Sequence, residues 1–494
     1  MALLEHLPAL MVVILFCGAF LMPLLFRWIR SLCAPLMVAI LAAVSAMAVI
    51  ALVRVYQLGP QLYHLGGWPP PWGIELKVDL LRGYMLLVLF VVSLWIFIYA
   101  LRDLENELKK ELAGWYYTLY ALLVGSIAGI ALTNDLFNLF VMMEICAITA
   151  CAIISIKEER ECLEASFKYL ILSAMGTGCF LLGVAMLYMA TGYLNYDYLH
   201  GSLVEALTLY PRNLLLAAAL FIVAFGTKAA LFPLHVWLPD AHASAPSPSS
   251  AMLSGLVIKI YAFALLLIFY EVFPAELLQG VPLNDIILWL GSLGAMFGSI
   301  YAMMQTDLKK MLAFSSIGQI GYIFMGIGFN QNLALVGGLY HIAVHAVTKA
   351  MLFMAAGTII YATGVRKISD LAGIGRYLPL TMAAFAVGSA SMIGLPGTGG
   401  LISKWYLSLG ALEMGRPFFV LIILISSLLN AVYYMPIVIN AFLHHGDFKP
   451  RVKPVPRIML ASLVFGMLGI IVTGVFSRPA IVLLEDAVSR FFLN

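Results

Sequence analysis

Five lysines interrupt runs that are otherwise apolar: Lys168, Lys228, Lys259, Lys349 and Lys404. Arginine keeps its charge at any accessible pH, whereas a lysine removed from water readily gives up its proton. A chain that admits lysines but no arginines to its apolar runs holds groups able to exchange protons. Glu144, in FNLFVMMEICAITACAIIS, adds a carboxylate at similar depth. An isolated charge at the centre of a bilayer costs about 2.5–3.5 kcal/mol on insertion scales. Glu144 therefore either takes part in ion or proton transfer or is half of a structural ion pair.

The segment YHIAVHAVTKAML spaces His341, His345 and Lys349 at i, i+4 and i+8, on one face of a helix. Histidines titrating near neutrality beside a lysine can relay protons when bridged by water. Metal binding is one alternative, but the glutamate of HExxH is missing and no cysteine or carboxylate is near in sequence. Buried histidines bonded to backbone are the other.

In FGTKAALFPLHVWLPDAHASAPSPSS, Lys228 lies five residues before Pro233. Proline removes a backbone donor and clashes with the preceding turn. At membrane depth such irregular backbone is tolerated only inside protein or beside water. His235 and Asp240 follow and, with Lys168, make a secondary polar set. Lys168 sits near the start of its run, where its side chain can snorkel to the surface. GLPGTGGLISKW repeats the pattern: Pro396 and its glycines open the backbone just before Lys404. It is not a phosphate loop, because the lysine neither follows a glycine directly nor precedes Ser or Thr.

The medium that gives these residues meaning is a membrane. Of 494 residues, 63% are hydrophobic and 11% charged, against about 45–50% and about 25% in soluble domains. Windows long enough to cross a bilayer fall at 7–28, 34–56, 83–101, 115–133, 136–156, 165–191, 213–236, 249–272, 285–304, 310–330, 333–362, 378–410, 417–443 and 457–476. The expected fold is an all-α membrane protein of about fourteen crossings. The seventh and twelfth are both broken and both carry a lysine. They are five spans apart, and an odd offset inverts topology, so spans 4–8 and 9–13 read as inverted repeats around a transport site. The expected divisions are 1–114, 115–272, 285–443 and 444–494.

Basic residues set the orientation. With the N-terminus outside, sixteen fall in inside loops: Arg27, Arg30, Arg102, Lys109, Lys110, Lys157, Arg160, Lys309, Lys310, Arg366, Lys367, Arg376, Lys449, Arg451, Lys453 and Arg457. Seven fall outside: Arg54, Lys77, Arg82, Arg212, Arg416, Arg478 and Arg490. That bias places both termini on the outer side of a cell membrane. The start lacks the basic segment and small-residue site of a cleaved signal and reads as a retained helix. WPPPWGIELKVDLLRG reads as an external hairpin, and RPAIVLLEDAVSRFFLN as a short interfacial helix. The six cysteines form no CxxC pair and read as small apolar residues, not as a disulfide, zinc or iron–sulfur framework. No nucleotide, haem or nucleophile motif is present, so no cofactor, metal or nucleic acid is expected.

One stretch, KAALFPLHVWLPDAHASAPSPSSAMLSGLVIKIY, resembles the signature of the antiporter-like membrane subunits of respiratory complex I, of Mrp-type sodium/proton antiporters and of membrane-bound nickel–iron hydrogenases. GGWPPPWGIEL, NDLFNLFVMMEI, KYLILSAMGTG, DLKKMLAFSSIGQIGY, HAVTKAMLFMAAG and GLPGTGGLISKW extend the resemblance, in order, over nearly the whole chain. It implies fourteen helices, two inverted five-helix repeats, and a proton path through Glu144 paired with Lys228, then Lys259, then His341, His345 and Lys349, ending at Lys404. Lysine at that last position, and a chain stopping soon after the fourteenth helix, favour the Mrp D-like or complex I N-like branch. The implied partners are other membrane subunits, with protons as cargo and sodium as a second ion in the antiporter branch. The competing class is a self-contained transporter of a small solute, which would need its own substrate pocket. A catalytic redox subunit would need a ligand pattern this sequence does not offer.

Overall fold

The computed structural model describes residues 2–274, 277, 282–444 and 452–492. After a single helical turn at Ala2–Glu5 come six long helices: α1 Leu7–Trp28, α2 Arg30–Leu58, α3 Leu80–Glu107, α4 Ala113–Leu132, α5 Leu136–Ser155 and α6 Arg160–Thr191. An amphipathic helix, Tyr196–Leu209, leads to α7, which is in two pieces, Pro211–Lys228 and Leu238–Ser244. Then come α8 Ser247–Val272, α9 Leu283–Met303, α10 Leu308–Gly328 and α11 Asn332–Thr363. The twelfth, α12, is also in two pieces, Pro379–Ile393 and Gly399–Glu413. α13 Pro417–Leu443, α14 Arg457–Val475 and the short α15 Arg478–Ser489 complete the chain. Among the described residues thirteen helices are long and apolar enough to cross a membrane. The fourteenth expected crossing is α12, whose two halves fall short singly.

Burial separates the helices into two kinds. α8, α10 and α11 are covered almost all round, while α1, α2, α6, α13 and α14 leave many aliphatic and aromatic side chains bare. Bare apolar flanks are what lipid accepts. Between buried helices, lipid exclusion supplies little force, and close packing has to hold them together. α9 and α10 achieve this with facing small residues: a side chain on Gly321 would overlap the Gly291 carbonyl, and one on Gly298 would overlap Gly318.

The ends of two helix pairs are built alike. Asp135 caps α5 by accepting from the Asn138 N–H, and Asp307 caps α10 by accepting from that of Lys310, at 2.8 and 2.9 Å. α6 and α11 are each 32 residues long and each ends on a left-handed glycine, Gly192 at φ 76° and Gly364 at φ 73°. An isolated antiparallel bridge then ties Asp135 to Asn195 and Asp307 to Lys367.

The hairpin is real but starts earlier than the proline-rich stretch that announced it. β1 Gln61–His64 pairs antiparallel with β2 Glu75–Val78, with Gln61 opposite Val78, and the prolines form its tip. Glu75 anchors it by accepting from Asn134 and Asn195 at 2.7 and 3.2 Å. α15 buries Ile481, Leu484 and Val488 against α11 and α3.

Three expectations need correction. The third window, expected at 83–101, is longer: α3 continues to Glu107 and carries Asp103 into the protein interior. Arg82, assigned to an outside segment, and Lys309, assigned to an inside loop, are both buried, in the first turns of α3 and α10. The seventh helix stops at Lys228, well before residue 236. Lys449 and Arg451 lie outside the described residues.

Candidate functional site

The α7 break puts Lys228 at the last position of a helix, where carbonyls lack intrahelical partners. Its ammonium is wholly buried and donates to Ser173 Oγ of α6 at 2.9 Å. Glu144 reaches toward it from α5, with Oε1 3.9 Å from Nζ. This is charge proximity rather than a hydrogen bond. The carboxylate instead accepts from Thr177 Oγ1 at 2.5 Å and stays about a third exposed, 34%, on the outer flank of the bundle. Tyr261 closes the other side, its ring 5.5 Å from Nζ.

Lys259 lies on α8, fully buried, two residues past the end of a π-helical segment at Leu253–Val257. A π turn shifts the hydrogen-bond ladder by one residue and is common at functional positions. Here Lys259 donates to the Ser254 carbonyl within that turn, and Ser254 Oγ meets Ser316 Oγ of α10 at 2.7 Å.

His341, His345 and Lys349 occupy one buried face of α11, as their spacing requires. The two imidazoles stack with centroids 5.7 Å apart. His341 Nδ1 lies 2.8 Å from Ser403 Oγ, next to Lys404 in sequence. Neither ring nitrogen of His345 has a protein partner among the described residues. Lys349 donates to the Leu312 carbonyl at 2.9 Å and to the Tyr434 hydroxyl at 3.2 Å.

From Tyr434 a polar chain crosses α13. Ser315 Oγ stands 2.9 Å from the hydroxyls of both Tyr434 and Tyr433. Tyr433 donates to Asn430 Oδ1 at 2.6 Å, and Asn430 Nδ2 donates to the Met392 carbonyl at 3.2 Å. Lys404 donates to that same carbonyl at 2.8 Å, to Ile393 O at 3.0 Å and to Ser427 Oγ at 3.0 Å. The α12 break thus frees the carbonyls that receive the Lys404 ammonium, at the negative end of a helix dipole. Lys349 and Lys404 are linked without a gap.

The secondary set does not join this chain. Lys168 and Asp240 belong to a partly exposed ion cluster, with Lys168 3.1 Å from Glu164 and from Asp240, and Lys310 3.3 Å from Asp240. His235 packs against Phe232 at 5.3 Å and Tyr301 at 6.2 Å. Sequence reading missed Ser173, Thr177, Tyr261, Asn430, Tyr433 and Tyr434. Asn430 and the paired tyrosines of NAVYYMP, polar atoms inside an apolar span, were the available signal. No group of three or more His, Cys, Asp or Glu side chains among the described residues is placed to hold a metal ion.

Comparisons with known proteins agree with this architecture. The family described as NADH:quinone oxidoreductase/Mrp antiporter, TM, matches residues 133–430. The N-type subunit of the NADH-quinone oxidoreductase of Desulforudis audaxviator is 39% identical, over 96% of this chain and 97% of that one. The D-type subunit of a Na(+)/H(+) antiporter of Alkalihalophilus pseudofirmus is 32% identical, over 79% of this chain and 78% of its own length. Among solved structures, a chain of the membrane-bound sulfane sulfur reductase, an archaeal respiratory membrane complex, superposes with a TM-score of 0.90 at 32% identity, covering 98% of this chain and 97% of that one. A chain of the Mrp complex from Dietzia shares the fold with the same TM-score at 23% identity, covering 100% and 98%.

Proposed function

The chain belongs to the NADH:quinone oxidoreductase/Mrp antiporter family of membrane subunits, and from that premise we propose that it moves protons across a cell membrane as one subunit of a larger complex. The observation that carries the proposal is the buried lysine series itself. Lys228, Lys259, Lys349 and Lys404 are all buried, and among the described residues only Lys228 has a carboxylate within 4 Å, at 3.9 Å. Ammonium groups in a low-dielectric interior repel one another strongly. The row therefore holds fewer protons than it has amines, and a proton arriving at one end favours release at the other.

Glu144 acts as the gate. When it approaches Lys228, each favours the other's charge; when it withdraws, Lys228 is left desolvated and passes its proton toward Lys259 and the α11 face. The Tyr434–Ser315–Tyr433 hydroxyls extend the path toward Lys404. The relatives supply the setting, since quinone oxidoreductase, antiporter and sulfane sulfur reductase are each named as a complex or by one of its subunits. Sodium exchange enters through the antiporter relatives.

The matching caps, lengths and bridges of α5–α6 and α10–α11 support two five-helix units of opposite topology, α4–α8 and α9–α13, broken at α7 and α12. The basic bias supports both termini outside. A single cysteine introduced as Lys453→Cys on a cysteine-free background should label from the inner side only; labelling from outside alone overturns the orientation. Sealed vesicles carrying the assembled complex should build a pH difference. Glu144→Gln and Lys228→Met should each nearly abolish it, and near-normal transport in both would make the pair structural.

A further inference from the structure

The four buried lysines differ in what faces their ammonium groups. Lys228 and Lys404 stand at corresponding places, one at each helix break. Lys228 ends the first piece of α7; Lys404 reaches back from the second piece of α12 to the last carbonyls of the first, Met392 and Ile393. Each has an aromatic ring over its ammonium. Lys404 Nζ lies 4.9 Å from the ring centre of Tyr322 on α10, and Lys228 Nζ lies 5.5 Å from that of Tyr261 on α8. Both lie inside the range, about 6 Å, over which the negative face of an aromatic ring attracts a cation. Lys349 stands 6.0 Å from the Tyr434 ring, at the edge of that range, and meets this tyrosine through its hydroxyl at 3.2 Å. Lys259 rests on the Ser254 carbonyl.

Tyr261 and Tyr322 are fully buried. A buried tyrosine hydroxyl usually finds a hydrogen-bond partner, yet neither of these has one among the described residues. What each tyrosine presents to its lysine is therefore the ring. Tyr322 also packs against His341 of α11, ring centres 5.6 Å apart and planes at 77°, so the same ring adjoins both His341 and Lys404. An ammonium taken out of water loses its hydration, and neutral dipoles replace only part of it. A carboxylate would replace more, but it would also hold the charge in place and compete for the proton. A ring face attracts the charged form without a net charge of its own and without binding the proton.

We propose that Tyr261 and Tyr322 are positioning residues of the proton path, whose ring faces hold the ammonium forms of Lys228 and Lys404. Each acts through its lysine and passes no proton itself. Lys404, whose other partners are two carbonyls and the Ser427 hydroxyl, depends on its ring more than Lys228, which also has Glu144 at 3.9 Å. This inference rests on the proton-moving reading and adds what keeps two lysines short of counter-charge able to accept a proton.

Attraction to a ring face depends on the electron density of the ring, and fluorine withdraws that density with little change of size. The test follows proton pumping in sealed vesicles holding equal amounts of assembled complex. Tyr322, and separately Tyr261, is replaced by phenylalanine and by its mono-, di- and trifluorinated forms. Tyr322→Phe and Tyr261→Phe should pump close to the parent level. Pumping should then fall with each added fluorine, to a loss on the order of tenfold for three, the scale of a desolvated cation–ring contact. Tyr322→Leu and Tyr261→Leu, which have no ring, should lose at least as much. A series that stays flat or rises with fluorine overturns the assignment for that tyrosine. So does a loss in the phenylalanine variant as large as in the leucine variant, which would make the hydroxyl the working group. Should a leucine variant fail to assemble, the fluorinated series decides alone. Flat series with Lys228→Met inactive remove the ring contacts and leave the proton-moving reading standing; normal pumping in Lys228→Met removes both.

Discussion

Two parts of this molecule bury basic side chains, and they treat them oppositely. At the hairpin end, Arg82 is wholly buried and its charge is matched by two carboxylates, although its Nε has no partner among the described residues. Its guanidinium donates to both Glu271 oxygens, at 2.9 and 2.7 Å, and to Asp79 as well. Burial alone would raise the Asp79 carboxyl, but the Arg82 charge and amide, with help from Lys77, hold it below the usual carboxylate range. A planar fork on two carboxylates is rigid and permanently charged. Along the mid-membrane row, lysines rest on uncharged carbonyls and hydroxyls. The one carboxylate near them among the described residues, Glu144, stops at 3.9 Å and is shared with Thr177. On the proposed reading, incomplete compensation rather than burial makes a charge functional here: a group whose charge is matched stays charged, and a group left short can change state.

Exchanging the two chemistries should have the largest consequences. Lys228→Arg keeps a positive charge but cannot release a proton, so it should block coupled transport as severely as Lys228→Met. Vesicle acidification normalised to assembled complex measures both, and good transport in Lys228→Arg would mean that charge alone is needed. The opposite manipulation is Glu271→Gln. It removes one of the two carboxylates that match the buried Arg82 charge, and breaking such a buried pair typically costs roughly 3–5 kcal/mol. The complex should unfold or dissociate earlier on heating, while transport per surviving complex remains. Replacing Arg82 and Glu271 together by apolar residues should recover most of that stability. A stable single mutant would show that the hairpin end is less locked than its geometry indicates.

Smaller effects separate the row from its surroundings. Tyr433→Phe and Tyr434→Phe remove the hydroxyls between Lys349 and Lys404 without changing packing. Transport should fall in part in each and further in the pair, since Lys404 keeps its carbonyl partners. Smallest of all is Lys168→Gln. Its ion pairs are partly exposed, and solvent screens such pairs so that they add little to stability. Neither thermal stability nor transport should change measurably, and a clear transport defect would return Lys168 and Asp240 to the path.

Some of this was legible in the sequence and some was not, for physical reasons. Lys228, Lys259, Lys349, Lys404 and Glu144 stand out because lipid tolerates few charges, so each is conspicuous against its window. Pro233 and the GLPGTGG stretch marked both broken helices because backbone disruption has few causes. The helix ends were less legible. Asp103 and Glu107 looked like the loop after a span, since hydropathy alone cannot tell a charged helix end buried in protein from one in water. Arg82 was misplaced for the same reason; its partner Glu271 is 189 residues away in the chain. The hydroxyls of Ser173, Thr177, Tyr433 and Tyr434 carry no hydropathy signal, and only the packing of α13 against α10 and α12 gives the tyrosines their place in a chain of contacts.

If Glu144 gates Lys228 through its charge, pumping must follow that charge and not the shape of the side chain. Proton pumping is followed in sealed vesicles holding equal amounts of assembled complex with Glu144 intact, Glu144→Asp or Glu144→Gln. Pumping should be almost completely lost in Glu144→Gln, with the chemistry of the other subunits partly retained. Clearly more pumping should survive in Glu144→Asp, where a carboxylate persists on a shorter arm. Pumping in Glu144→Gln close to that of the parent complex would rule out the gate, leaving the carboxylate as a packing contact of Thr177.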